Sequence, residues 1–184
     1  MNPGSAGPAW LFCPADRPER FAKAAAVADV VILDLEDGVN AADRPAARTA
    51  LQNTPLDPER TVIRVNPAGT DEQVRDLAAL AGTAYTTVML AKTESAAQVT
   101  ALAPREVIAL IETPRGAVSV TEISAAAGTV ALMWGAEDLV AALGGGSSRR
   151  ADGGYRDVAR HVRSATLLAA SAFGRAALDA VYLD

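Results

Sequence analysis

The chain has 184 residues, half of them hydrophobic and only 4% aromatic, with a net charge of −5. That length is enough for one domain with a sizeable core, and the Ala-, Val- and Leu-rich composition suits a soluble α/β protein. The longest cationic run is Arg149-Arg150, which excludes a nucleic-acid footprint, and no apolar run approaches the ~18 residues of a membrane span.

The arm before Trp10 is rich in Gly, Pro and Ser and lacks a basic start followed by an apolar stretch, so no secretion leader is expected. The first strand is expected at Trp10–Cys13, with Cys13, the single cysteine, buried and inert. One cysteine cannot form an internal disulfide, which fits a reducing cytoplasm. Further strands are expected at Val30–Leu35, Val62–Val65, Thr87–Leu90, Val107–Ile111, Val130–Trp134 and Ala180–Leu183. These are continuous apolar runs, not alternating ones, as in a parallel sheet covered on both faces.

Helices are expected between them. Thr70-Asp71-Glu72-Gln73 is a capping box, with Gly82 as the stop. Thr93 begins a helix towards Ala103, and Thr113-Pro114 opens another that Gly128 closes. Ala136–Leu143 is short, and Tyr155–Ala177 is long with an apolar stripe. Gly144 to Gly154, "GGGSSRRADGG", interrupts this rhythm and is expected to be a mobile loop. Strand, helix, strand at this spacing implies βα units with right-handed crossovers. Two arrangements satisfy it: a doubly wound sheet, or a (β/α)8 barrel one strand short.

The chemistry lies at the strand ends. "VVILDLEDG" closes in Asp34, Glu36 and Asp37; "TVIRVNP" carries Arg64 and Asn66; "VMLAK" ends in Lys92; "IALIE" ends in Glu112; "ALMWGAED" runs into Glu137 and Asp138; "AVYLD" ends in Asp184. Parallel strands put their C-terminal ends on one face, where βα loops build active sites. For any one of these residues, a helix cap or solvated charge is a sufficient account. The recurrence of charge at six strand ends is what points to a site. Two lone carboxylates plus water and ligand suit Mg²⁺, which favours oxygen and keeps several waters. A single His, His161, in a long Ala-rich helix nearly excludes zinc and a Ser-His-Asp triad. The alternative reading of "DLEDG" is a turn with Gly38 at positive φ.

In order and spacing, "LFCPADRPERFAKA", "VILDLEDGV", "RVNP", "VMLAKTES", "ALIETPRG" and "MWGAEDL" resemble the citrate lyase β-subunit-like proteins of the HpcH/HpaI aldolase superfamily. The resemblance implies a (β/α)8 TIM barrel, of which residues 1–184 form one domain with about seven βα units, lacking the last strand. It implies homotrimers or multiples of trimers. It implies a Mg²⁺ held by Glu112 and Asp138, and an oxo-acid gripped by Arg64. Glu112, Lys92, Gly135 and Ala136 are expected to line the substrate, while Asp34, Glu36 and Asp37 order metal waters or hold Arg64. The implied activity is Mg²⁺-dependent carbon–carbon cleavage of citryl-, citramalyl- or malyl-coenzyme A to acetyl-CoA and an oxo-acid such as oxaloacetate, or the reverse condensation. The alternatives are a CoA-independent metal-dependent aldolase acting on an oxo-acid and an aldehyde, and a weakly catalytic subunit that assembles with acyl-carrier partners.

Overall fold

A computed structural model describes residues 3–182. The chain divides into two compact units after Ala91. In the first, β1 (Trp10–Pro14), β2 (Val30–Asp34), β3 (Thr61–Val65) and β4 (Thr87–Leu90) alternate with α1 (Phe21–Val27), α2 (Arg44–Asn53) and α3 (Asp71–Leu80). The four strands pair in sequence order, and β1 to β2, β2 to β3 and β3 to β4 are all parallel. Every residue of β2 and β4 is buried, as apolar runs covered on both faces require.

The second unit runs α4 (Ala96–Thr100), β5 (Glu106–Ile111), α5 (Pro114–Val118), α6 (Val120–Ala125), β6 (Thr129–Trp134), α7 (Ala136–Ala142), α8 (Asp157–Ala172) and β7 (Ala176–Leu178). Here β5, β6 and β7 form a parallel ladder. Both units are therefore built of βα repeats on parallel strands.

Local chemistry explains the helix starts. Thr70 accepts from the Gln73 backbone N–H at 3.1 Å, as the capping box requires. The reciprocal bond is shifted by one residue, because Gln73 Oε1 accepts from Gly69 N–H. Ser95, not Thr93, caps α4, accepting from Gln98 N–H. Thr113 caps α5 through Gly116 N–H with Pro114 at the first helical position. The expected single helix from Thr113 breaks at Ser119 into α5 and α6. The helices α1 and α2 lie between strands, as βα alternation requires, in stretches for which no helix bounds were read from the sequence.

The C-terminal end departs most from expectation. The long helix stops at Ala172, not Ala177, because Gly174 takes φ 64 and Arg175 N–H returns to Ala170 O at 2.8 Å. This releases Ala176–Leu178 as the last strand, pairing Ala131↔Ala176 through Met133↔Leu178. The strand expected at Ala180–Leu183 is not formed over Ala180–Tyr182, and Leu183 and Asp184 lie outside the described residues.

Candidate active site

In the first unit, parallel register sets Asp34 of β2 directly opposite Arg64 of β3. Arg64 presents a two-pronged edge to that carboxylate: Nε donates to Asp34 Oδ1 at 2.7 Å and Nη2 to Oδ2 at 2.6 Å. Its Nη1 lies 3.2 Å from Glu36 Oε2. The guanidinium also sits over the Phe12 ring, 5.0 Å from its centroid. Asp34 and Glu36 are 3% and 2% exposed, so both charges depend on these partners. Asp34 and Glu36 therefore hold Arg64. Asp37 is exposed, and its backbone N–H donates to Glu36 Oε2 at 3.0 Å. Phe12 had no signal in the sequence, because nothing in an apolar strand marks which residue lies under a cation.

The turn after β2 closes on Asp34 itself, whose Oδ1 accepts from Glu36 N–H and Oδ2 from Gly38 N–H, each at 2.9 Å. Gly38 is needed for space and not for a positive φ: a Cβ there would stand 2.2 Å from Asp34 Oδ2. One carboxylate thus shapes its own loop and orients the neighbouring arginine.

Behind this cluster lies a buried relay. Asp76 of α3 is fully buried and accepts from Arg48 Nε (2.8 Å), Asn66 N–H (2.9 Å) and Asn66 Nδ2 (2.8 Å). Asn66 Nδ2 also donates to Leu35 O at 2.9 Å, and Leu35 N–H donates to Arg64 O at 3.0 Å. The ends of β2 and β3 are thereby tied together just beyond the Arg64–Asp34 pair, through Leu35 and Asn66. Arg48 pairs with Glu72 as well, which holds the Glu72 carboxyl below the usual carboxylate range.

In the second unit, Glu112 follows β5 and Gly135 follows β6, where Ile111 and Trp134 are register partners. Gly135 N–H donates to Ile111 O at 3.0 Å. Glu112 is 4% exposed, and its Oε1 accepts from Lys92 N–H at 2.9 Å. Lys92 Nζ pairs with Asp138 Oδ2 at 3.0 Å. Lys92 has φ 51, a left-handed conformation that costs a residue with a Cβ on the order of 1–3 kcal/mol. Gly135 is a close approach: a Cβ there would be 2.8 Å from Glu112 Oε2 and 2.9 Å from its Cβ. Gly116 packs in the same way against Thr93 O, where a Cβ would come to 2.3 Å. Ala136 is buried at the start of α7, and Asp138 lies in its first turn without capping it.

The loop after α7 makes several side-chain contacts despite its glycines. Arg149 and Tyr155 form an antiparallel bridge, with the Arg149 guanidinium 4.0 Å from the Tyr155 ring centroid. Tyr155 packs edge-on against Trp134, and buried Ser148 donates to Glu137 Oε1. His161 lies exposed within α8.

Can these residues hold a metal? No group of three or more His, Cys, Asp or Glu able to hold one occurs among the described residues. The donors at hand are two carboxylates, Glu112 and Asp138, both contacted by Lys92, the first through its backbone N–H and the second through its ammonium. Hard oxygen donors, few in number, suit Mg²⁺ and not zinc or a dedicated calcium cage. The space at Gly135 leaves Glu112 Oε2 unobstructed by a side chain on that side.

Parallel βα units whose strand ends carry charged side chains define an α/β protein, and the second unit offers two carboxylate donors suited to Mg²⁺. The chain belongs to the HpcH/HpaI aldolase/citrate lyase family, whose model matches residues 9–184. It is 77% identical over all 184 residues to a citrate lyase subunit beta-like protein of Mycobacterium tuberculosis, spanning 67% of that protein's length. It superposes with a TM-score of 0.99 on the citrate lyase beta subunit of M. tuberculosis complexed with oxaloacetate and magnesium, covering 100% of this chain and 82% of that one at 77% identity. It superposes with a TM-score of 0.97 on protein CitE of M. tuberculosis in complex with magnesium, acetoacetate and coenzyme A, at 77% identity, covering 98% of this chain and 67% of that one. The chain thus spans about two thirds of the length of its curated M. tuberculosis relative. No helix among the described residues is long and apolar enough to cross a membrane.

Proposed function

We propose that this protein is a Mg²⁺-dependent carbon–carbon lyase that cleaves a 3-hydroxyacyl-CoA bearing further carboxylates into acetyl-CoA and an oxo-acid, or condenses them. Glu112 and Asp138 hold the metal, and Arg64 grips the oxo-acid carboxylate. Gly135 and Ala136 border the substrate. The reading extends to a full (β/α)8 barrel of which this chain forms a single domain, to a trimer, and to the cytoplasm.

The observation that carries the reading is the Glu112–Lys92–Asp138 arrangement, which gathers a buried and a half-buried carboxylate beyond the ends of neighbouring strands. The M. tuberculosis relatives solved with magnesium, oxaloacetate and coenzyme A support it.

In the cleavage direction the substrate hydroxyl loses its proton, the carbon–carbon bond breaks as the alkoxide becomes a ketone, and the departing thioester enolate is protonated. When bound, the metal supplies Lewis acidity and a template for the hydroxyl and its neighbouring carboxylate. Arg64 contributes an orienting cation. Asp34 and Glu36 fix its plane before substrate arrives, so less ordering is needed on binding.

The test is a panel of citryl-, malyl- and citramalyl-CoA, with and without Mg²⁺, read by mass spectrometry for acetyl-CoA and oxo-acid. Metal-dependent products that vanish in Glu112→Gln are expected. Cleavage of a free oxo-acid aldol, with no turnover of any thioester, would replace this reading by a CoA-independent aldolase.

A further inference from the structure

Lys92 is the one non-glycine residue with a positive φ among the described residues. That turn gives its two nitrogen groups different carboxylates. The backbone N–H goes to Glu112 Oε1 at 2.9 Å, and the ammonium goes to Asp138 Oδ2 at 3.0 Å. The Asp138 contact is with a full charge in a half-buried setting, the side chains being 30% and 35% exposed. The main-chain bond to Glu112 does not depend on the side chain at this position and is kept by any residue that tolerates the turn.

We propose that the Lys92 ammonium is an internal counter-cation for Asp138 which a divalent metal must displace, and that it lowers the affinity of the site for Mg²⁺. This rests on the reading that Glu112 and Asp138 are metal ligands. Two carboxylates at neighbouring strand ends repel each other when no cation is near. Lys92 removes part of that repulsion in the metal-free protein. The same ammonium opposes the arrival of a second cation, because like charges a few ångströms apart repel even when partly screened.

A residue that merely oriented Asp138 would have the opposite effect. Removing an orienting partner weakens a metal site. Removing a competing cation strengthens it. The sign of the change in Mg²⁺ affinity therefore decides between the two.

The experiment is isothermal titration of MgCl2 at fixed ionic strength into the wild-type protein and into Lys92→Met, Lys92→Asn, Lys92→Arg and Glu112→Gln. Asn accepts a left-handed backbone, which guards against a folding failure in the Met variant. The Met and Asn variants are expected to bind Mg²⁺ about tenfold more tightly, as the loss of a partly screened like charge implies. Arg is expected to match wild type, and Glu112→Gln to lose binding. In EDTA the Met and Asn variants should melt lower than wild type, and Mg²⁺ should raise their melting temperature further than it raises that of wild type. Equal or weaker Mg²⁺ binding in both Lys92→Met and Lys92→Asn, with Glu112→Gln still defective, overturns this inference alone. Undiminished binding in Glu112→Gln overturns the metal reading itself and this inference with it.

Discussion

Arg64 and Asp34, opposite each other on adjacent parallel strands, form a two-pronged ion pair with both bonds under 2.8 Å. The sheet register brings the two residues together, and the bonds to Asp34 and Glu36 set the plane of the guanidinium. Arg64→Lys replaces a planar fork with a point charge and should weaken oxo-acid binding by about 1.5–3 kcal/mol, the worth of a charged hydrogen bond, while Mg²⁺ affinity barely changes. Titration of oxaloacetate and Mg²⁺ into the variant separates the two effects. An equal loss in both would make Arg64 structural.

Glu112→Gln should abolish metal-dependent cleavage and leave the metal-free protein as stable as wild type or more so, since a neutral amide replaces a buried charge and its oxygen still accepts the Lys92 backbone N–H. Mg²⁺ stabilises whichever state binds it. Melting curves with and without Mg²⁺ should show a shift for wild type that is missing in Glu112→Gln and Asp138→Asn.

Gly135→Ala tests space. The added methyl would meet Glu112 Oε2 at 2.8 Å and force the carboxylate or the β6–α7 turn to move. A stability loss of about 1–3 kcal/mol is expected from overpacking, together with a weakened Mg²⁺ response in the same melts. An unchanged Mg²⁺ response would show that Glu112 has room to move without consequence.

Asp76→Ala removes the acceptor of three hydrogen bonds and leaves Arg48 short of a buried partner. The expected cost is about 3–5 kcal/mol, read by urea denaturation. Glu72, on the same arginine, has its carboxyl lowered chiefly by the hydrogen bond from Arg48. Its contribution to stability is therefore present above the unfolded carboxyl pKa and lost as pH falls through the lower folded value. Glu72→Gln should flatten the stability-against-pH curve in that acidic window; a curve of unchanged slope would refute the linkage.

Cys13 is 4% exposed, and burial is the foremost cause raising its thiol pKa. A neutral, covered thiol is a poor nucleophile. It should react with a disulfide reagent at pH 8 only at the rate of unfolding, and at once in denaturant. Rapid modification of the native protein would show β1 to be open.

The amino-acid sequence by itself determined the parallel βα alternation and six of the seven strands to within a residue or so at each end. Buried parallel strands must be continuously apolar, and each ends abruptly where polar residues begin. It also determined which strand ends carry charge, because a carboxylate after "IALI" has no local reason to be there. Capping at Thr70 and Thr113 was legible for the same reason: such bonds span three residues of chain. The last strand was not legible. Ala-rich sequence continues past Ala172, and only the return of Arg175 N–H to Ala170 O ends the helix there. Nor did sequence determine the role of Lys92 or the relay through Asp76. Those depend on contacts between groups 10 to 46 residues apart, from Asn66 with Asp76 to Lys92 with Asp138. Sheet register and the turn at Lys92 decide such contacts, and a one-residue slip would turn each side chain to the other face.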